Sequence, residues 1–258
     1  MTQPYYPWKA NTMPSPVSDL YMEVAANNVF GMQRVGTAIM NPAVSSTPET
    51  LWPEGGRYSW PTAASVVTVS SDNANDTSAG TGARAVYIDG LAADYSQQVE
   101  LVVTNGTTAV STTQQFFRIN AVYVVSAGST GWNVGNIYVG TGTVTAGKPA
   151  AVWNMIPATY GVSQSGVFTV PKGYAGHLTF LQVGTDGNKD GELSLHLRFA
   201  TGLKYRSNDW QVSNTLTLEP RGFGRAGEGT DVEWVGSVLS TTGKWSGFWG
   251  AILRKESE

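Results

Sequence analysis

The sequence predicts an all-β protein: two antiparallel β-sandwich domains, jelly-roll-like in type, preceded by an extended N-terminal arm with at most one short helix. Three observations carry that prediction. Short runs of β-branched and aromatic residues recur roughly every 8–12 residues, with Gly, Asn, Asp and Ser between them and no helical period. Charged residues make up only 14% of the chain, and 30 glycines with abundant Ser, Thr and Asn fill the deficit. An ordinary soluble domain is roughly a quarter charged. Finally, residues 1–60 are rich in Pro and aromatic residues and show no sustained period.

Taken in order, residues 1–60 read as the arm. Pro4-Tyr5-Tyr6-Pro7-Trp8 favours an extended path because each proline fixes φ. A short helix is expected after Ser18, where Leu20, Tyr21, Val24 and Ala25 share one helical face, and Asn27, Asn28 and Gly31 stop it. Pro42, Pro48, Pro53 and Pro61 punctuate the remainder. Such a segment cannot bury enough of itself to fold alone, so it lies across the next domain or docks on another subunit. Tyr5, Tyr6, Trp8, Trp52, Tyr58 and Trp60 are its candidate partner-binding residues.

Residues 61–147 form the first expected β-domain. Its strands are 65–70, 83–91, 97–104, 107–113 and 116–126, and Asn105-Gly106 is the best hairpin signal in the chain. Residues 148–258 form the second, with strands at 167–170, 174–183, 192–200, 212–219, 231–239 and 245–253. The clearest alternation is in 192–200: Leu193, Leu195, Leu197 and Phe199 face one way, Ser194, His196 and Arg198 the other.

Composition also excludes function classes. Without Cys there is no disulfide framework, thiolate zinc site or Cys nucleophile. A net charge of −3 with no basic block argues against direct nucleic-acid binding. No apolar run approaches the roughly 18 residues of a membrane span, and the first residues lack the basic flank and apolar stretch of a signal peptide. The two histidines, His177 and His196, have no metal-ligand spacing around them and read as ordinary surface or half-buried residues. Gly222-Phe223-Gly224-Arg225-Ala226-Gly227 matches a dinucleotide fingerprint, but no helix follows to receive a phosphate, so it reads as a loop. Catalytic and cofactor-binding residues are therefore not expected. The candidate metal loop is 186–191, where Asp186, Asn188 and Asp190 precede Gly191 with the spacing of a calcium loop. A polar hairpin turn explains the same residues. The tryptophans suit area burial in cores and interfaces, or, next to polar loops, stacking on sugars.

Met22-Glu23-Val24-Ala25, Asn41-Pro42 and the run 49–58 resemble the start of a widespread group of tailed-bacteriophage virion structural proteins. The resemblance continues through 71–84, Asn105-Gly106-Thr107-Thr108-Ala109-Val110, Phe117-Arg118-Ile119-Asn120 and 126–135, and 168–173 is similar to the opening of their second β-domain. It implies a non-enzymatic virion component, assembled in the bacterial cytoplasm and attached to the capsid or neck as a decoration, cement or head-fibre type protein. The alternative is a tail- or baseplate-associated module that binds a glycan or receptor. The implied partners are other virion proteins (major capsid, portal or neck, tail) and the chain itself, as a homotrimer or other symmetric oligomer. A host-surface glycan is a further expected partner; no nucleic acid, membrane or cofactor is.

Overall fold

A computed structural model describes residues 20–26, 28–219, 223–239 and 242–256. A helix α1 (Leu20–Ala25) is followed by seventeen strands. They are β1 (Met32–Val44), β2 (Glu49–Thr50), β3 (Ser65–Ser71), β4 (Ala83–Leu91), β5 (Gln97–Val103) and β6 (Val110–Phe116). β7 (Arg118–Ala127), β8 (Ile137–Thr145), β9 (Lys148–Ile156), β10 (Val167–Thr169), β11 (Tyr174–Thr185) and β12 (Asp190–Arg198) come next. β13 (Lys204–Ser213), β14 (Thr215–Leu218), β15 (Phe223–Ala226), β16 (Asp231–Val238) and β17 (Gly243–Lys255) complete the chain. The all-β, antiparallel class expected from the pattern is what is found, and the helix falls where Val24 can bury one face.

The strands form four sheets. One has the order β1-β17-β11-β14, with β15 also on β11, and another β10-β16-β12-β13, with β2 also on β16. Side chains of these two sheets share one core around Leu181, Leu193, Trp234, Trp245 and Trp249. The third sheet, β6-β3-β8-β9, and the fourth, β5-β4-β7, share a second core around Val67, Ile88, Phe116, Val122 and Ile137.

Two boundaries differ from the sequence reading. Residues 32–44 are no arm: β1 pairs with β17 from Met32↔Arg254 to Val44↔Gly243, and Ile39 is inside the first core. Pro42 is accommodated at a register shift on an edge strand, where a missing N–H is tolerated. The boundary expected at residue 148 falls in a hairpin instead, because Thr145↔Lys148 closes the β8–β9 pair. The β9 strand therefore belongs with residues 65–145.

The two units are nested. β2 pairs with β16 through Thr50↔Val235, and β10 pairs with the same edge through Val167↔Glu233. Between them, Leu51 N–H donates to Trp234 O and Gly166 N–H to Leu51 O. A single edge position is thus filled by two segments, and residues 52–165 leave and return within it. Gly166 is required there, since a Cβ would lie 2.6 Å from the Leu51 carbonyl oxygen.

The glycine-rich run 71–84 is organised by one buried carboxylate. Asp76 accepts hydrogen bonds from Ala83 N–H and Val134 N–H at Oδ1, and from Ser71 Oγ–H and Gly135 N–H at Oδ2, all within 2.7–2.8 Å. It does for these loops what a strand ladder does elsewhere, satisfying backbone donors that would otherwise be buried unpaired.

Two substitutions test this architecture. Ile39→Ala should cost about 2–5 kcal/mol in denaturant unfolding, a loss that a detachable arm would not show. Asp76→Ala strands several buried donors at about 1–3 kcal/mol each, so the cooperative transition should move to markedly lower denaturant.

Candidate functional site

The functional candidate lies where the nested unit meets the outer one. Arg118 opens β7 and Asp231 opens β16, and both are 3% exposed. Arg118 Nε donates to Asp231 Oδ1 at 2.8 Å and its Nη2 to Oδ2 at 3.0 Å. The remaining nitrogen, Nη1, donates to the carbonyls of Pro61 and Phe117. Thr169 Oγ1–H and Arg198 Nε–H also donate to Asp231. A bidentate guanidinium–carboxylate pair is the geometry that best offsets the cost of removing two charges from water.

The segment 57–61 is fastened over this pair by its side chains. Arg118 lies 3.9 Å from the Phe117 ring centroid and 5.2 Å from that of Trp60, and Arg198 lies 5.3 Å from Trp60. Tyr58 meets Trp52 and Trp60 edge-on, and its phenol donates to the Trp153 carbonyl. Burial pushes the Tyr58 phenol well above its ordinary range, against the pull of Arg118, so it remains a donor. Asn120 adds a reciprocal pair of hydrogen bonds with the Thr169 backbone.

Above the pair opens a cleft of about 410 Å3, lined by Arg57, Trp60, His196, Arg198, Lys204, Tyr205, Arg206 and Glu233 among others. Glu233 accepts from the Thr50 hydroxyl and from Arg57 Nη2 at 3.2 Å. Arg206 pairs with Asp209. Burial lowers the His196 pKa, with Arg57 acting in the same direction, which favours the neutral ring. Both lining carboxylates are thus engaged by arginines and threonines, and the half-exposed Arg57, still paired with Glu233, lines the cleft together with Lys204 and the exposed Tyr205.

Several sequence-predicted positions are placed differently from expectation. Trp52 and Tyr58 are buried against Val167, with Trp60 and Val152 packed beside them. They join the two units of one chain, because aromatic area of that size is satisfied by the nearest apolar wall. Tyr5, Tyr6 and Trp8 lie outside the described residues. In the 186–191 loop, Asp186 Oδ1 accepts from Lys244 N–H and Asp190 begins β12, while residues 186–188 form a 3₁₀ turn. Among the described residues no three His, Cys, Asp or Glu gather as metal ligands. Residues 223–226 are a short strand with no helix after it. His196, read from sequence as an ordinary residue, lines the cleft. Arg118 enters the sequence reading only within Phe117-Arg118-Ile119-Asn120, and Asp231, Lys204 and Tyr205 not at all; the outward alternation of His196 and Arg198 on β12 is the available signal.

No family model matches the chain, and no curated protein matches it. Among solved structures, one of infectious bursal disease virus, Gx strain, is similar at a TM-score of 0.21 and 9% identity, covering 88% of this chain and 71% of the other. One of the Gt strain gives 0.17 and 11%, covering 87% and 73%. Likeness at this level carries no argument about fold or role.

Asp231→Asn leaves the Arg118 guanidinium buried with half its partner. Denaturant unfolding should show a loss of about 3–5 kcal/mol. Arg198→Gln, at a partly exposed pair, should cost about 1 kcal/mol or less.

Proposed function

We propose that the chain is a non-enzymatic structural component of a bacteriophage particle, attached to the capsid or neck as a decoration, cement or head-fibre type protein in symmetric, homotrimeric or similar, copies. The observation that carries this reading is the strand order of the outer unit. Counting β2 and β10 as one strand and β14 and β15 as another, its two sheets run first-eighth-third-sixth and second-seventh-fourth-fifth. That order supports a jelly roll, a fold common in viral shells and lectins. In the nested unit β3 pairs with β8 and β4 with β7, which supports a shorter version of the same wrapped hairpin. The sequence resemblance to tailed-phage virion proteins inclines the choice between shell and lectin toward the particle, since fold alone does not fix role. Trp153, Trp234, Trp245 and Trp249 are buried in cores, as a structural use of tryptophan requires.

With residues from Met32 onward built into the sheets, the anchoring role read for 1–60 narrows to the residues before them. A tagged full-length chain expressed during infection should co-purify with particles, and deletion of residues 2–18 should abolish that. Absence of the full-length chain from purified particles would overturn the reading.

The cleft favours the alternative of a glycan- or receptor-binding module. Its cations and exposed Tyr205 suit an acidic sugar, with the carboxylate on Arg57 and Lys204 and the ring on the phenol face. Titration with glucuronate and glucose by NMR should then show selective shifts for the acid, weakened about tenfold or more by Lys204→Glu.

A further inference from the structure

A sheet with one wet face alternates apolar and polar residues, and β5, β4 and β7 do not. Val86, Ile88, Val102 and Val122 point into the core. The opposite face carries Val99, Leu101 and Val103 from β5, Ala85, Tyr87 and Asp89 from β4, and Ala121, Tyr123 and Val125 from β7. The register sets these side by side: Tyr87 is opposite both Leu101 and Tyr123, and Asp89 is opposite Val99 and Ala121. Tyr160 adjoins them, because Gly161 O accepts from Val124 N–H. Leu101 is 55% exposed, Val103 52% and Val125 51%. Apart from Asp89, these positions carry no charge.

We propose that this face is a self-association surface, covered in solution by the same face of a second copy of the chain. The area fits that occupant. The exposed parts of Val99, Leu101, Val103, Val125, Tyr87, Tyr123 and Tyr160 amount to roughly 600 Å2, at about 150–250 Å2 for a large side chain. That is the upper end of what a monomer leaves bare, and two copies would bury on the order of 1,200 Å2, enough for a specific interface. The chemistry also fits. A face with one carboxyl and no cation has no charge to offer a charged partner, whereas a second copy brings what it needs. The protonated Asp89 carboxyl can donate to a phenol oxygen of Tyr87, Tyr123 or Tyr160 opposite, and the apolar rows pack on each other. A same-face contact closes at two copies, so it serves the symmetric copies proposed above as a dimer contact and not as that of a trimer. Mass in solution tests the surface and particle incorporation tests the role, so either can fail alone.

Asp89 makes the contact pH-dependent. Burial among these side chains already lifts its pKa to about 6. The groups facing it are Tyr87 on its own strand, Val99 on β5, and Ala121 and Tyr123 on β7, with no Lys, Arg or His. Covering the face disfavours the carboxylate further, so association takes up protons and strengthens as pH falls. Between the Asp89 pKa on the bare face and its higher pKa on the covered one, each pH unit weakens it by about tenfold per buried Asp89.

Sedimentation velocity on the full chain at about pH 8, 7 and 5.5 tests this. A discrete oligomer is expected whose dissociation constant falls at least tenfold from pH 8 to 5.5. Leu101→Asp and Val125→Asp, both at exposed positions, should yield monomers with unchanged circular dichroism and a melting temperature that no longer rises with protein concentration. Asp89→Asn should keep the oligomer and abolish its pH dependence. A monomer at about 100 μM across this range overturns the proposal, as does an oligomer indifferent to both aspartates. A chain that stays monomeric yet needs Leu101 and Val125 to bind another protein also overturns it, by assigning the face to a different occupant.

Discussion

The contact between Arg118 and Asp231 is the constraint on which the rest of the molecule depends. Each charge is nearly inaccessible to water, so each would be prohibitive alone; together they are tolerated only because every available nitrogen of Arg118 and both oxygens of Asp231 find partners. Satisfying that requirement fixes three things at once. The start of β7 must meet the start of β16, Pro61 must present its carbonyl, and Trp60 must lie over two guanidinium groups. The pair thereby ties the nested unit to the outer one and contributes to the floor of the cleft.

Below this junction the two units obey ordinary sheet physics, and there the sequence was legible. Runs such as 83–91, 97–103 and 231–238 emerge at nearly the expected bounds because β-branched and other apolar residues concentrate within them and turn residues flank them. Other strands were hidden for identifiable reasons. β8 carries Gly140 and Gly142, which mimic a turn; β13 is an edge strand whose residues are mostly exposed, so no apolar alternation marks it. β1 was concealed by Pro42 and by distance, since its partner β17 lies two hundred positions further on and nothing local announces the pairing.

The candidate site was less legible than the fold. Its lining comes from residues 57–60, 196–206 and 231–233, segments that no spacing rule connects. His196 and Arg198 could be assigned to the outward face of one strand, but not to a shared cavity. Trp52, Tyr58 and Trp60 were recognisable as aromatic residues needing a partner, and the partner turned out to lie within the same chain. In the 71–84 run the need for glycine is set by a distant contact: Gly82 must lack a Cβ because Asp76 Oδ1 would sit 2.1 Å from it.

The shared edge position beside β16 has a consequence for how such a chain can change. Leu51 and Gly166 are hydrogen-bonded neighbours, so the 114 residues from 52 to 165 hang from two adjacent points of a finished framework. A cassette held in this way leaves the hydrogen-bond ladders of the two outer sheets unbroken. What resists exchange is the seam itself: a new insert must bring its own cation for Asp231 and its own ring to lie over Arg198. The junction thus acts as a filter on modularity, admitting only those inserts that supply the missing half of a buried ion pair.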